Sequence, residues 1–486
     1  MKQRGFMLAL MLIFVVILFL LGAAIAALSF PEFFFINRHS AQTSALYIAD
    51  AGIKDAIYRI QSGNMSNFSS TIVPDLPTGT TTFGTYTVTI VADAGNADNA
   101  VVMYHVTSVG SLTSRPNDSR TIKAIVQGVS FAKFLYFTDE EKMRGGGERI
   151  WFKTGDILDG PVHSNDQISV YWGDHDSYPP IFQSEVESAS DFYYSPDDPA
   201  TENDYKEIFL NGSNGYQTNV SNIPFPPSIS NQKQICLGGI TEPSSTGVYL
   251  PTTGGTLSGG IYIVGDIERM TFSTSSNTQI ISIVQIRSNN QRTTTISLDQ
   301  ANNTTTYNYN GTITNYSGLP KGLIFGTGNI KDLSGTVNWR LTLFTDNDQT
   351  NNYINITNNL QYAQDPRTNF SFNGAMGIVA PDITVDRNAP DEINIQAAIM
   401  AADTTGRHGS FYVDNYAAID VKGHINLLGG IIQNWRGPVG TYWTNSGEQK
   451  SGYLKNYHHD ARFLTNPPPY FPMTGNFNIR FWKILQ

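Results

Sequence analysis

The amino-acid sequence predicts an α+β unit followed by a mainly β domain. We expect a long N-terminal helix on a small antiparallel sheet, then a large, irregular β-solenoid-like (parallel β-helix) domain. At the N-terminus an apolar segment continues into an amphipathic one, and alternating strand patterns and short aliphatic runs follow. The predicted parts are a basic leader at 1–5, a transmembrane and stalk helix at 6–63, a sheet at 64–129 and the β-domain at 130–486.

The composition excludes several classes of protein. The net charge is -10 and only 15% of residues are charged, without the basic stripe of a nucleic-acid binder. Because 12% of residues are aromatic and 40% are hydrophobic, the chain is not disordered. The single cysteine, Cys236, cannot form an internal disulfide. Its apolar surroundings, QICLGGI, predict a buried thiol in a strand.

The N-terminal apolar segment extends from Phe6 to Phe30. A run of about 20 such residues can cross a bilayer as a helix. Lys2 and Arg4 precede it, which places the N-terminus in the cytoplasm and everything after the span outside. A secretory signal cut near residues 23–27 and an unprocessed anchor are the alternatives, but the run exceeds the usual signal core. The predicted membrane-anchoring residues are Phe6, Leu10, Phe14, Leu18, Ala24 and Phe30.

Residues 38–60 form an amphipathic pattern in which apolar residues recur every three or four positions. We expect this stalk to continue the helix beyond a kink at Pro31 and to end at residues 62–64. Its apolar stripe should pack on the chain's own sheet or on neighbouring helices. The predicted packing residues are Ile48, Ala49, Ile53, Ala56, Ile57 and Ile60.

Three alternating runs after the stalk predict a small antiparallel sheet. They cover residues 86–91, 101–109 and 120–126, and turn signals separate them. Residues 64–82 are rich in Ser, Thr, Pro and Gly and are expected to be a connector. Such a sheet would bury the apolar stripe of the stalk.

The leader Met1–Gly5, the following Phe6 and the stalk segment 45–60 (ALYIADAGIKDAIYRI) resemble the type IV pilin-like family. Within it they are most similar to the large PilX-like minor pilins and K-type pseudopilins. The resemblance implies cleavage between Gly5 and Phe6 by a prepilin peptidase, methylation of Phe6, and insertion in the inner membrane. Leu10 stands where most major pilins carry Glu, as in K-type pseudopilins at filament tips.

The resemblance also implies a function and partners. We expect a minor pilin or pseudopilin of a type IV pilus or a type II secretion-like filament. Its partners would be other pilins or pseudopilins, the inner membrane and the prepilin peptidase, with no nucleic acid. The β-domain would be displayed outside, at the cell surface or on the pilus after assembly.

The remaining chain favours a solenoid because short strands alternate with Gly and Asn corners. Runs of this kind lie at 260–267, 322–330, 377–385, 393–401 and 419–432. An antiparallel sandwich or barrel is the alternative. Four segments also resemble the large extracellular domain often attached to PilX-like stalks: 134–139, 154–166, 457–463 and 467–472.

The chemistry of the β-domain is less specific. Asp156, Asp159, His163 and Asp166 fall within one short segment and could bind a metal or transfer protons. They define the alternative function, a membrane-tethered carbohydrate-active β-solenoid enzyme, although turn residues are the simpler interpretation. No catalytic motif is present, so we predict no enzyme activity, no cofactor and no metal site.

Two further patterns bear on binding. Residues 174–176 and 346–348 offer oxygen ligands for calcium, but neither completes a calcium-binding loop. The Asn-, Thr- and Tyr-rich segment 289–316 could be an adhesive surface. A surface polysaccharide or protein is therefore the expected partner if the β-domain is adhesive.

Overall fold

The computed structural model describes residues 3–485 except 73–82, 94–101, 154, 173–178, 227, 347–351 and 444–447. For residues 3–5, 30 and 31 it describes the backbone but not the side chains. The prediction of a long N-terminal helix and a large β-rich domain is confirmed, and 48% of residues are in strands. The chain divides into two compact units. The helix–sheet unit contains Met1–Gly95, Val102–Gly128 and Asn476–Gln486, and the β-domain contains Asn96–Val101 and Val129–Gly475.

The helix–sheet unit is built around helix α1 (Gln3–Gln61), which continues without a break through Pro31. It ends where the sequence predicts, before Ser62 and Gly63, and Gly63 adopts a φ of 77° that favours glycine. The most apolar 18-residue segment of this helix has a mean hydropathy of 3.2 and is 0% buried. By length and composition, this helix can cross a membrane once.

Among the residues that the structure describes, the small sheet has five strands rather than the three that were expected. They are β1 (Phe68–Ile72), β2 (Gly84–Ala92), β3 (Met103–Leu112), β4 (Arg115–Ser130) and β33 (Met473–Leu485), in the order β1-β2-β3-β4-β33. The connector expected at 64–82 therefore contains β1, which pairs antiparallel with β2. Residues 476–486, expected in the β-domain, belong instead to the helix–sheet unit.

Helix and sheet meet through a dense apolar core. The face of α1 that carries Ile48, Ala49, Ile53 and Ala56 packs on alternate residues of β2, β3 and β4, including Val88, Val106, Ile122 and Val126. Gly110 permits the close approach, since a Cβ there would lie 2.4 Å from the Ala45 carbonyl oxygen.

The β-domain contains many short strands. They are β5 (Tyr136–Glu140), β6 (Ile157–Asp159), β7 (Val162–Ser164), β8 (Ser169–Tyr171), β9 (Ile181–Phe182), β10 (Val186–Ser188), β11 (Tyr193–Ser195), β12 (Tyr216–Gln217), β13 (Gly247–Tyr249), β14 (Thr252–Thr253), β15 (Thr256–Leu257), β16 (Ile261–Val264), β17 (Arg269–Ser275), β18 (Thr278–Arg287), β19 (Asn290–Asp299), β20 (Thr304–Tyr309), β21 (Thr312–Ser317), β22 (Leu323–Gly326), β23 (Ile330–Val337), β24 (Arg340–Thr345), β25 (Tyr353–Tyr362), β26 (Ala375–Ala380), β27 (Asp382–Val385), β28 (Ile393–Ala401), β29 (Phe411–Val413), β30 (Val421–Trp435), β31 (Gly440–Tyr442) and β32 (Gln449–His459).

Helices are few in this domain. The α-helices are α2 (Glu202–Ile208) and α3 (Ser230–Leu237), and the 3-10 turns are Phe131–Lys133, Gly212–Asn214 and Ala461–Leu464. Cys236 is buried as expected, but it lies in α3. The prediction of a strand there was wrong, because an apolar run of this length does not distinguish a buried strand from a short helix.

The longest set of parallel pairings, here the first ladder, joins ten strands in the order β16-β22-β24-β26-β28-β30-β5-β7-β10-β12. One column of side chains in this ladder points into the main core and begins with Ile261, Ile324 and Leu343. The chain thus enters the ladder at β5, leaves it at β12, and returns at the far end through β16. The ends of the domain sequence meet where β30 pairs with β5.

Two shorter parallel ladders lie beside it. The second ladder is β17-β23-β25-β27-β29. The third ladder is β28-β30-β32-β6-β9, and it uses the first halves of β28 and β30. Antiparallel strands β18 to β21 form a meander that contains the Asn-rich segment 289–316.

Candidate functional site

The four residues of the predicted acid and histidine cluster have separate partners. Asp156 is fully buried and contacts the Lys455 ammonium. Asp159 is half exposed and pairs with His458 at 3.0 Å. Asp166 accepts a hydrogen bond from the Glu141 backbone N–H at 3.1 Å.

His163 continues a stack of side chains on the outer face of the first ladder. Its register partner is Phe137, and the two rings are stacked with centroids 5.1 Å apart. Its Nδ1 contacts Glu187 Oε2 at 2.9 Å and its Nε2 contacts Asn165 Oδ1 at 3.2 Å. This ring is 1% exposed, so it is a packed core histidine.

These four residues therefore do not form one group that could hold a metal ion, as far as the structure describes them. Among the residues that the structure describes, no group of three or more His, Cys, Asp or Glu side chains is placed to hold a metal ion. The possible calcium ligands at 174–176, and residues 347 and 348, lie outside the described residues.

A groove on the outer face of the second ladder has the better geometry for a binding site. Its volume is about 360 Å³. It is lined by Tyr353, Asn355, Asp382, Thr384, His408, Tyr412 and Asp414. We call it the second-ladder groove.

Parallel register explains why these side chains meet. Asn355 pairs with Thr384, and Thr384 pairs with Tyr412, so three successive strands present one side chain each. The residues between them, such as Ile354 and Ile383, point into the core because strand side chains alternate between faces. The ladder thus holds the lining of the groove on regular backbone.

Asp382 is the most firmly held group of the groove. Its Oδ1 accepts hydrogen bonds from the Gly409 and Ser410 backbone N–H groups, at 3.2 Å and 3.1 Å. Its Oδ2 accepts one from Arg144 Nη1 at 2.7 Å. These three hydrogen bonds fix the position of the carboxylate in the groove.

His408 lies beside Asp382, and its tautomer decides whether its Nδ1 donates or accepts a hydrogen bond. Its Nδ1 lies 2.8 Å from Arg144 Nη1 and 3.1 Å from Asp382 Oδ2. It can accept from the arginine or donate to the carboxylate, but the same nitrogen cannot do both in one state. Either arrangement fixes the ring at the edge of the groove.

Two tyrosines give the groove its apolar surface. Tyr353 and Tyr412 are both half-buried, and burial raises the pKa of Tyr412, which keeps its phenol protonated. A protonated phenol donates a hydrogen bond while its ring offers a stacking surface. The Thr384 hydroxyl donates to Asn355 Oδ1 at 2.7 Å, so the two tyrosines are the groups best placed to hold a ligand rich in hydroxyl groups.

A second cavity, of about 460 Å³, is lined by Trp339, Arg340 and Pro469 among others. Arg340 donates hydrogen bonds there to the Asn466 side chain at 2.7 Å and to the Pro467 carbonyl at 2.6 Å. Its principal cation is thus engaged within the chain. The second-ladder groove is the stronger candidate because three successive parallel strands supply its lining on regular backbone.

The predicted anchor residues are exposed on α1, and most of the predicted stalk residues are buried. Phe6, Leu10, Phe14 and Leu18 are each more than half exposed, and Ala24 is also exposed. The side chains of Gly5 and Phe30 are outside the described residues. In the stalk, five of the six predicted packing residues are buried, and Ile57 is partly buried against the same core.

The sequence comparisons give one finding. Residues 88–190, about a fifth of the chain, match the family described as "Domain of unknown function (DUF4900)". This range includes the GDILDGPVHSND segment and ends two residues after β10. No curated protein matches the chain, and no solved structure does.

Proposed function

We propose that this protein is a membrane-anchored, pilin-like display protein whose β-domain lies outside the inner membrane. The observation that carries this proposal is the difference in burial between the two halves of helix α1. Its first half exposes large apolar side chains from Phe6 to Ile36, whereas its second half is buried on the sheet of the same unit. A soluble protein rarely exposes so long an apolar surface, and a bilayer or a bundle of similar helices would cover it.

Two further features support the finer form of the proposal. The basic residues before the apolar segment favour a cytoplasmic N-terminus. The three parallel ladders support an irregular β-solenoid as the displayed domain, because each successive strand adds to the same columns. In this proposal the protein joins a filament of pilins or pseudopilins as a minor component.

A labelling experiment tests the orientation. Cys236 is fully buried and the chain has no other cysteine, so the native protein gives little background with a membrane-impermeant maleimide. Asn302→Cys places a thiol at an exposed position between β19 and β20. We expect this variant to be labelled in intact spheroplasts. Labelling that requires lysis of the inner membrane would contradict the proposal.

The second-ladder groove supports a second proposal, adhesion to a surface polysaccharide. The supporting observation is the combination of two tyrosines with fixed amide, hydroxyl and carboxylate groups. Affinity electrophoresis through gels that contain soluble neutral or acidic polysaccharides would measure binding by the full chain in detergent. Tyr412→Ala should lose the retardation, and Tyr58→Ala, which removes an exposed tyrosine from the stalk, should keep it. Equal retardation of both variants would contradict this role for the groove.

A further inference from the structure

One column of the third ladder places a lysine where the neighbouring strands carry isoleucine. Ile393 of β28 pairs with Ile425 of β30, and Ile425 pairs with Lys455 of β32. Both isoleucines are fully buried, and Lys455 is only 5% exposed. The next strand of the ladder, β6, starts at Ile157, which pairs with Asn456, the residue after Lys455. Asp156, the residue before Ile157, is therefore level with Lys455. It lies beside Lys455 at the inner face of the ladder.

The two side chains are in direct contact. Lys455 Nζ lies 2.6 Å from Asp156 Oδ2, and the aspartate is 0% exposed. The same oxygen also accepts a hydrogen bond from the Lys153 backbone N–H at 3.1 Å. The other oxygen, Oδ1, has no hydrogen-bond partner among the described residues. A carboxylate of an ordinary buried ion pair would have both oxygens satisfied.

Aromatic groups surround this pair. Lys455 Nζ lies 5.7 Å from the centre of the Phe152 ring. The phenols of Tyr442 and Tyr457 have a raised pKa, mainly because of burial and also because of the nearby charge of Asp156. Such surroundings exclude water from the pair.

A second cation lies near the pair. Arg436 is paired with Glu141 at 2.5 Å, and its guanidinium lies 3.7 Å from the centre of the same Phe152 ring. Burial lowers the pKa of Lys455, and the charge of Arg436 lowers it further, although Asp156 and Glu141 act in the opposite direction. The Lys455 ammonium therefore gives up its proton more readily here than in water.

We propose that Lys455 and Asp156 become joined by an intramolecular amide bond between Nζ and Cγ. The proton of the ammonium first passes to Oδ2, the aspartate oxygen that it contacts, which leaves a neutral amine and a carboxylic acid. The nitrogen lone pair attacks Cγ, the negative charge develops on Oδ1, and the Lys153 N–H holds the protonated Oδ2 in place.

The tetrahedral intermediate then loses Oδ2 as water, which takes the transferred proton and one hydrogen from nitrogen, and Oδ1 becomes the amide oxygen. The new C–N bond replaces a C–O bond, so no oxidant and no cofactor are consumed. Conversion of two buried charges into a neutral amide also removes the desolvation penalty of the ion pair.

The bond would close a very long loop. Asp156 and Lys455 are 299 positions apart in sequence, near the two ends of the β-domain sequence. A cross-link of this kind restricts the unfolded chain, more so for a longer loop. It would give the chain, with its single cysteine, a covalent staple that needs no disulfide. The inference does not depend on the proposed membrane anchoring.

Mass spectrometry of the full chain tests the proposal. After proteolysis of denatured protein, we expect the peptide with Asp156 to be joined to the peptide with Lys455, with the loss of one water. This peptide-level measurement is independent of any processing at the N-terminus. Recovery of both peptides only in their unlinked form, which indicates an ion pair alone, would overturn the proposal.

Three variants sharpen the test. Lys455→Met should abolish the linked peptide, and the denatured chain should migrate more slowly in gels because its loop is open. Asp156→Asn should form the same linked peptide as the native chain, since loss of ammonia from an amide gives an identical product. Lys422→Met changes another lysine that is paired with an aspartate, Asp391, whose side chain is 79% exposed, and should leave the cross-link unchanged. Persistence of the linked peptide in Lys455→Met would also overturn the assignment.

Discussion

The two units of this protein bury different kinds of side chain. The core of the helix–sheet unit consists of Ile, Ala, Val and Tyr side chains from α1 and three neighbouring strands. The core of the β-domain, in contrast, contains the charged groups Glu141, Asp156, Arg436 and Lys455. The apolar core joins segments that are near in sequence, whereas the two ion pairs join segments separated by 295 and 299 positions.

This difference separates two ways of specifying a fold. An apolar stripe of correct period is sufficient for a helix to find its sheet, because burial is non-directional. A buried ion pair is costly when its partner is absent, so it penalises any arrangement that fails to bring the two ends of the β-domain sequence together. The predictions below test each core by the change that should harm it most.

The largest effect should come from a charge in the apolar core. Ile53 is fully buried among the helix–sheet contacts, so Ile53→Asp leaves a carboxylate without a partner. We expect a loss of about 4–5 kcal/mol of stability in this unit. Hydrogen exchange of its peptides, measured on the full chain in detergent, would report the loss. Tyr58→Asp adds the same charge at an exposed position of α1 and should change the exchange little.

In the β-domain, the equivalent change is removal of one charge. Arg436→Met leaves Glu141 buried without its cation, which should cost about 3–5 kcal/mol. Hydrogen exchange of peptides from β5 and β30 would measure this effect. The double variant with Glu141→Gln should recover most of the stability. If the double variant recovers no stability, the loss in Arg436→Met comes from missing side-chain packing and not from the missing charge.

A smaller effect is expected where helix and sheet are closest. Gly110→Val introduces a Cβ that would lie 2.4 Å from backbone atoms of Ala45 and Ala49. We expect a loss of about 1–3 kcal/mol from overpacking, visible as faster exchange in α1. Thr107→Val, which faces away from the helix on the same strand, is the matched control. Similar exchange in both variants would show that the helix can move away at little cost.

The smallest effect concerns acid stability. The hydrogen bond with His163 holds the pKa of Glu187 below its ordinary value of 4.5. A lowered folded-state pKa stabilises the protein above the unfolded value, and this stabilisation is lost as the pH falls through the folded value. Because Glu187 is 32% exposed, we expect less than about 1 kcal/mol. Glu187→Gln should therefore flatten the acid limb of the β-domain stability curve slightly, and Glu185→Gln should not.

Much of the helix–sheet unit can be predicted from the sequence. The three- and four-residue spacing around Ile53 and the alternation in β2 and β3 are local patterns that identify the buried faces directly. Strands β1 and β33 of the same sheet could not be predicted from such local patterns. Phe68–Ile72 lies in a Ser- and Thr-rich stretch, and Met473–Leu485 joins the small sheet from the far end of the chain.

The groove and the cross-link depend on parallel register, which no local pattern encodes. Asn355, Thr384 and Tyr412 meet only because β25, β27 and β29 pair in one register. For Lys455 a signal does exist. Tyr453, Lys455 and Tyr457 alternate along β32 and all three are buried, so a lysine that shares its strand face with two tyrosines is a candidate for burial.

The mass of the mature N-terminal peptide tests the central claim, that α1 anchors a pilin-like display protein, most directly. We predict a chain that begins at N-methylated Phe6 when the protein is isolated from its native membrane. A chain that begins near Ala27 or Leu28 would lack the anchor and would contradict this prediction. An intact Met1 would retain the anchor and contradict the pilin-like processing.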